Sequence, residues 1–268
     1  MSGFSAAWLE LREPYDRKAR NAVVLDAVAK EFARRPVVAV VDLACGLGST
    51  FRALSPLLGK SQSWRLADND LSLLARTPSS SPPSITVTTM PVDLNHDLEA
   101  ALDGPVDLVT TSALLDLVSE EWLQRLAVEA ATRRLPVYAA LSYDGRVEFD
   151  PADAVDKKII AAVNAHQRTD KGFGPALGPE AASEAVEGFK RVGYSVVQGR
   201  SDWVFGHDDR EIQLDILSGW AHAAREIGDV PLPDVIEWLT RRRDHVAAGR
   251  SSIRVGHLDL FATPTGNR

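Results

Sequence analysis

The sequence predicts an α/β fold built on a doubly wound, mostly parallel sheet, and three observations predict it. Val37-Val38-Ala39-Val40-Val41 is an unbroken run rich in β-branched residues, the pattern of a strand buried on both faces. Helical and strand-like periodicities then alternate along the chain, which calls for right-handed crossovers between parallel strands. Finally, Asp42, Asp68 and Asp93 each follow a strand-like run, where the carboxyl ends of parallel strands meet ligands.

Taken in order, the segment from Arg17 to Arg35 alternates with helical spacing, with Val24, Val28 and Phe32 on one stripe and Pro36 at its end. The first strand, Val37 to Val41, stops at Asp42 and is followed by Gly46 and Gly48. Trp64-Arg65-Leu66-Ala67 reads as the second strand, ending at Asp68, and Asp70 is placed to cap a short helix from Leu71 to Ala75. Thr77 to Ser84 is rich in Ser and Pro and reads as a flexible surface loop. Ile85 to Thr88 is a third strand ending near Asp93, and Val106 to Thr110 a fourth. The next helix begins near Ser119, with Glu120 and Glu121 in its first turn and Arg133 and Arg134 in its last, as the helix dipole favours.

Val137 to Leu141 makes a fifth strand. Ala181 to Val192 is a helix with Val186, Phe189 and Val192 inward and Gly193 as its stop. Tyr194 to Gln198 and Ile253 to Ala262 supply the last two strands. Between them Ile212, Ile216 and Trp220 mark one helix, and Val235, Trp238 and Leu239 another, so both tryptophans read as core. The expected organisation is one domain over residues 1–268, with N-terminal helices at 1–35. A sheet core at 36–206 and 251–263 surrounds a helical insertion at 207–250, packed over one end of the sheet.

Composition narrows the function. With 268 residues, 45% of them hydrophobic, the chain can bury one sizeable core. Lys and Arg number 30 against 37 Asp and Glu, a balance that argues against a protein that coats nucleic acid and still allows one local basic pocket. Cys45 is the lone cysteine, which rules out an internal disulfide, and no ligand spacing points to a metal. Met1 to Tyr15 carries Glu10, Arg12 and Glu13 in place of an apolar run, so no secretory signal is expected there. The longest apolar run, near Pro36 to Cys45, is interrupted by Asp42 and is too short for a membrane span. A cytoplasmic protein with neither membrane nor nucleic-acid partner is expected; no feature encodes an oligomeric state.

The segment Val41-Asp42-Leu43-Ala44-Cys45-Gly46-Leu47-Gly48-Ser49-Thr50 carries the chemistry. Small residues let its backbone approach a ligand and adopt positive φ, and a helix begins after it. A dinucleotide loop would need a third glycine at position 51, which is Phe51, and the chain has no Tyr-x-x-x-Lys pair. Both facts disfavour a nicotinamide-dependent oxidoreductase. The segment instead resembles the first motif of class I S-adenosylmethionine (SAM) dependent methyltransferases: Asp42, Gly46 and Gly48 match, and Ala44 replaces the first glycine.

That resemblance, over roughly residues 36 to 143, implies a Rossmann-like fold and SAM as cofactor. It gives Asp68 the ribose hydroxyls, both of which one carboxylate can accept. Asp93 with Leu94 would hold the adenine, and Ser112 to Asp116 would line the methyl-donor side. Asp93 also reads as a plain loop acid beside Asn95, and Asp116 as a residue that simply precedes the next helix. Asn164 to Gly174 resembles a block from a bacterial branch of the same family, which brings no known substrate with it.

The polar cluster from His166 to Lys171 follows the fifth strand, on the side where ligands bind α/β sheets. His166 is the candidate proton acceptor, and Arg168 and Lys171 are candidates for an anionic acceptor group. A solvated helix end followed by a glycine-rich turn is the plain alternative. Tyr143, just past the fifth strand, joins Asp116 as a further acceptor-side candidate. No Asn-Pro-Pro-aromatic motif for planar amino groups is present. The expectation is therefore a methyltransferase acting on a small molecule, with oxygen ahead of nitrogen. The competing reading is a SAM-binding partner or scaffold subunit without catalysis.

Overall fold

The computed structural model describes residues 4–77 and 82–266. The middle of the expected Ser/Pro loop, residues 78–81, lies outside the described residues. The strands are β1 (Val37–Leu43), β2 (Ser61–Asp68), β3 (Ile85–Pro91), β4 (Leu108–Ser112), β5 (Val137–Asp150), β6 (Tyr194–Arg200), β7 (Trp203–Phe205) and β8 (Ser252–Pro264). They form one sheet in the order β3-β2-β1-β4-β5-β8-β6, with β7 also paired to β8. Pairs among β1 to β5 are parallel, whereas β8 runs antiparallel to β5, β6 and β7. This is the doubly wound, mostly parallel sheet expected from the sequence.

The helices are α1 (Ala6–Ala19), α2 (Ala22–Phe32), α3 (Ser49–Leu54), α4 (Leu71–Leu74), α5 (Leu98–Ala101), α6 (Glu120–Arg133), α7 (Asp156–Gln167), α8 (Ala181–Arg191), α9 (Arg210–Ile227) and α10 (Leu232–Ala247). Strand alternation splits the core into two layers. Val38 and Val40 pack with Val24, Val28 and Phe32 of α2, and Val41 and Leu43 pack with Leu123 and Leu126 of α6 and Phe189 of α8. Asp70 caps α4 and Ser119 caps α6, as expected.

Several boundaries differ from the sequence reading for identifiable reasons. The helical pattern from Arg17 to Arg35 is two helices. Arg20 adopts an extended ψ of 134°, and the Asn21 side chain accepts the N–H groups of Val23 and Val24 to start α2 afresh. The fourth strand sits two residues later than its apolar run, because Asp107 spends its carboxylate on the Ala39 N–H, 2.9 Å away. The fifth strand runs on to Asp150, past a register shift between Ala139 and Ser142 at which Leu141 takes φ +56°. Helix α7 and the three-residue β7 carry too weak an apolar period to be read as elements, and α1 is the first of the N-terminal helices expected at 1–35.

The extension of β5 beyond Leu141 builds a third core at the carboxyl end of the sheet. Tyr143, Ile159 of α7, Trp203 and Phe205 of β7, Leu217 of α9 and Trp238 of α10 belong to it. Trp220 packs against this core at its margin and Trp238 is fully buried, as their helical spacing implied. Arg242 has no exposed surface; its guanidinium lies 4.1 Å from the Phe149 ring centre, donates to the Pro151 carbonyl at 2.6 Å and pairs with Asp156. Asp156 also accepts the Trp238 indole N–H at 2.8 Å. Every partner in this group is satisfied, so α7 and α10 are fixed to the tip of β5. Among the described residues no helix is long and apolar enough to cross a membrane.

Removing one side of a satisfied buried pair strands the other charge. Arg242→Ala should therefore lower the unfolding free energy by about 3–5 kcal/mol, read by denaturant titration. A loss below 1 kcal/mol, on the scale of an exposed pair, would mean that the pair does not hold the cap.

Candidate active site

The loop after β1 turns sharply through three left-handed residues, with φ of +52° at Ala44, +53° at Gly46 and +79° at Gly48. Ala44, in the place of the first glycine of the motif, bears a conformation that disfavours any side chain by about 1–2 kcal/mol. Of the three other non-glycine residues with positive φ among the described residues, Arg134 caps α6, and Ala113 and Leu141 stand at the ends of the parallel runs of β4 and β5. Strain thus gathers at one edge of the sheet, the edge where such folds bind ligands.

Asp68 holds this loop. Its two carboxylate oxygens accept the Gly46 N–H at 2.8 Å and the Asp70 N–H at 3.0 Å, and 8% of the residue is exposed. Asp42 is fully buried; Oδ1 accepts the Thr110 hydroxyl at 2.7 Å, and Oδ2 has no partner. Burial pushes the Asp42 carboxyl up to about 7, against the Thr110 hydrogen bond and the charge of Arg20, which lower it. Burial also pushes the Cys45 thiol up, so this cysteine behaves as a small apolar residue.

A cleft of about 370 Å³ opens beside the loop, lined by Ala44, Cys45, Gly46, Leu47, Ser49, Thr50 and Ser112. Its remaining wall is α1, through Leu9, Arg12, Glu13 and Asp16. The helix is fastened on both sides. Arg52 of α3 donates from Nε to Glu13 at 2.6 Å and from Nη1 to the Leu47 carbonyl at 2.6 Å. Asp16 accepts from Arg12 Nε and from the Trp203 indole, both at 2.9 Å, and the Arg12 guanidinium lies 5.6 Å from the Trp203 ring centre.

Where α1 meets α2, Arg20 turns inward with 6% of its surface exposed. It donates to the Tyr138 hydroxyl at 3.1 Å, to Thr50 Oγ1 at 3.4 Å and to Ser112 Oγ at 3.5 Å. Behind it, the fully buried Asp259 accepts the N–H groups of Leu141 and Asn21, each at 2.8 Å, and the Tyr138 hydroxyl at 3.4 Å. The sequence points to helices at 1–35 but singles out neither Arg20 nor a role for α1 in the site. The inward face of α1 is Arg12 and Asp16, so an apolar stripe does not mark it. A charged i,i+4 pair beside Leu9 and Leu11 was the only available signal.

Of the sequence candidates, the cleft brings together Ala44, Gly46 and Ser112, with Asp42, Gly48 and Asp68 supporting its loop. Asp93 stands beyond β3 with its side chain half exposed, accepting the Asn95 N–H at 2.9 Å and pairing with His96 at 3.0 Å. Leu94 is buried, and its carbonyl accepts the Trp122 indole at 2.7 Å.

Asp116 and Tyr143 are both buried near the carboxyl ends of β4 and β5. Asp116 Oδ1 has no partner, and burial raises its carboxyl to about 6, against nearby backbone N–H groups and the charge of Arg12. The Tyr143 hydroxyl donates to Asn164 Oδ1 at 2.7 Å. Across the sheet from Tyr143 stands His257 of β8, buried 4.6 Å from the Trp203 ring centre and donating from Nδ1 to the Val255 carbonyl at 3.1 Å. Burial and then the charge of Arg12 push His257 down to about 3, so its ring is uncharged near neutrality.

Asp116, Tyr143 and His257 stand outside the lining of the cleft, and so does the segment from His166 to Lys171. His166 closes α7 with Nε2 bonded to Glu226 of α9 at 2.7 Å, and Nδ1 receives the Lys171 ammonium at 3.3 Å. Arg168 forms a two-pronged pair with Glu180 and donates to the Asn164 carbonyl at 3.1 Å.

No protein-family model and no curated protein matches the chain. Solved structures do. A loganic acid methyltransferase solved with SAH is 12% identical, over 100% of this chain and 99% of that one, with a TM-score of 0.53. The YcgJ protein from Bacillus subtilis is 13% identical over 92% of this chain and 100% of that one, with a TM-score of 0.51. At these identities the likeness is one of fold. The strand order, the antiparallel β8 and the small-residue loop after β1 define a Rossmann-like fold of the class I methyltransferase kind.

The raised Asp42 carboxyl has a stability signature. A folded-state value near 7 against an ordinary 3.8 means its contribution is fully present below about pH 4 and is lost as pH rises through 7. Asp42→Asn should therefore be more stable than the parent at pH 8, with the difference vanishing by pH 4, in thermal melts across that range. A difference that grows toward acid pH would refute the assignment of an uncompensated carboxylate.

Proposed function

We propose that the protein is a SAM-dependent methyltransferase whose acceptor is a small molecule, with oxygen ahead of nitrogen as the methylated atom. The observation that carries this reading is the unpartnered Oδ2 of fully buried Asp42 beside the left-handed loop. The charge of Arg20 acts on this carboxyl without a hydrogen bond to it; a buried oxygen at a ligand-binding edge is stabilised when a charged donor meets it directly, and the ammonium of SAM would supply one. Gly46 and Gly48 let the cofactor approach backbone, while Asp68 keeps spare lone pairs for ribose hydroxyls beside its two backbone bonds. Asp93 and Leu94 are the adenine-side candidates. When bound, SAM supplies an activated methyl group on a sulfonium, and the protein's task is to orient an acceptor and exclude water.

The acceptor side assigned here is the buried group of Asp116, Tyr143 and His257. Asp116 has a free buried oxygen and a carboxyl near pH 6, suited to take a hydroxyl proton close to neutrality. His257 keeps an uncharged Nε2 that can accept a hydrogen bond from the acceptor. His166, by contrast, has both ring nitrogens engaged.

Calorimetry should give micromolar binding of SAM and of its demethylated product with no binding of NAD; saturable NAD binding without SAM would sink the reading. Asp68→Asn, which keeps one acceptor oxygen, should weaken SAM by about 1–3 kcal/mol in a folded protein. An acceptor found by incubating labelled SAM with metabolite extracts then allows a kinetic comparison. Asp116→Asn should lose about 10²–10⁴-fold in turnover with cofactor affinity retained, and parent activity should rise through about pH 6. A loss of that size in His166→Ala instead would return the proton-accepting role to the α7 end.

A further inference from the structure

We infer that the methyl acceptor is a small carboxylate and that Arg12 of α1 grips its anionic group. This rests on the methyltransferase reading above and names the chemical class of substrate for the same site.

The Arg12 guanidinium is held on two sides and unspent at its end. Its side chain is 9% exposed. Nε donates to Asp16 at 2.9 Å, and the group lies over the Trp203 ring, 5.6 Å from its centre. Those two contacts fix the plane of the guanidinium before any ligand arrives. Asp16 spends one oxygen on that bond and the other on the Trp203 indole, also at 2.9 Å. Nη1 and Nη2 meet no acceptor among the described residues. What is left is the end-on pair of N–H donors, the arrangement that matches the two oxygens of a planar carboxylate.

Position selects the acceptor as the ligand. Arg12 lines the cleft beside the loop after β1, and its charge also bears on Asp116 and His257, which stand outside that lining. It therefore joins the cofactor cleft to the buried group on the acceptor side. A molecule anchored at Arg12 by its carboxylate has the rest of its length beside Asp116, whose buried Oδ1 has no partner. The two cations that composition suggests for an anionic acceptor are committed elsewhere. Arg168 spends its fork on Glu180, and Lys171 donates to Thr169 and His166. Helix α1 is meanwhile fastened through Glu13 and Asp16, so the free end of Arg12 has no part in holding it.

The test uses the full-length protein saturated with SAH and three pairs of probes: acetate and acetamide, glycolate and glycolamide, benzoate and benzamide. Each pair keeps its shape and differs in charge. Ligand-observed NMR titration should show at least one carboxylate bound about 10- to 100-fold more tightly than its amide, the range of a charge-assisted hydrogen bond. Arg12→Gln should abolish this preference, with folding checked by thermal melting. If that variant does not fold, Arg12→Lys answers the question. It keeps a charge beside Asp16 but loses the fork, so the preference should fall several-fold. No preference in the parent, or the full preference in either folded variant, overturns the role of Arg12 and leaves the methyltransferase reading intact. A loss of SAH affinity of about tenfold or more in Arg12→Gln would give the guanidinium to the cofactor and likewise overturn it. A parent that binds no SAH overturns the methyltransferase reading and this one with it.

Discussion

One buried carboxylate ties the sheet to everything that surrounds the site. Asp259 of β8 has no solvent exposure, and it accepts the Leu141 N–H at the left-handed bulge of β5 and the Asn21 N–H at the head of α2. It also receives the hydroxyl of Tyr138, which in turn takes a hydrogen bond from Arg20. Without an acceptor at this point the bulge would leave a buried N–H unpaired, a penalty of about 1–3 kcal/mol. The bulge redirects β5 toward Tyr143 and the cap, and the α1–α2 junction delivers Arg20 and α1 to the cleft. The position of the cleft wall, the shape of β5 and the aim of the buried guanidinium thus depend on one side chain.

Buried charge is used in two different ways in this molecule. In the cap, Arg242, Asp156, Trp238 and the Pro151 carbonyl form a closed set in which each group meets a partner. That set fixes geometry and offers nothing to a ligand. Along the carboxyl edge of the sheet, Asp42 and Asp116 each keep a sealed oxygen without a partner, and Arg20 keeps a sealed Nε. Such groups weaken the folded state, and the three hydrophobic cores on either side of and above the edge sustain it. Charged side chains with unpartnered buried atoms at this edge, together with left-handed backbone at Ala44, Ala113 and Leu141, are the physical mark of a site built for binding.

The sheet was legible because its strands are apolar enough to be continuous in sequence, as in Val37 to Val41, and because acids such as Asp42 and Asp68 punctuate them. Caps were legible for the same local reason: Asp70 and Ser119 bond to the backbone within three residues of themselves. What escaped was set by distant partners. The break at Arg20 and the bulge at Leu141 both depend on Asp259, more than a hundred residues further along the chain. Helix α1 falls within the expected N-terminal helices, but its role as a cleft wall was hidden because its inward face is Arg12 and Asp16, whose partner is Trp203 of β7. His257 lies in a strand with no motif, and only the pairing of β5 with β8 sets it across from Tyr143. His166 attracted attention by composition, but the packing of α7 on α9 gives it Glu226 as a neighbour.

The place of β8 in the sheet bears on how the protein is made. This strand fills the gap between β5 and β6 and also carries β7, yet it is the last of the eight to leave the ribosome. Until it arrives, β5 presents an open edge in which Val137 to Leu141 should be entirely covered, and neither β6 nor β7 has a partner. Roughly a hundred residues separate the end of β5 from the start of β8, about 5–20 s of translation at ordinary rates. Through that interval the nascent chain carries an apolar strand with unpaired backbone, the kind of surface that recruits chaperones and seeds aggregates. Slow codons placed in the α9–α10 region would lengthen this exposure.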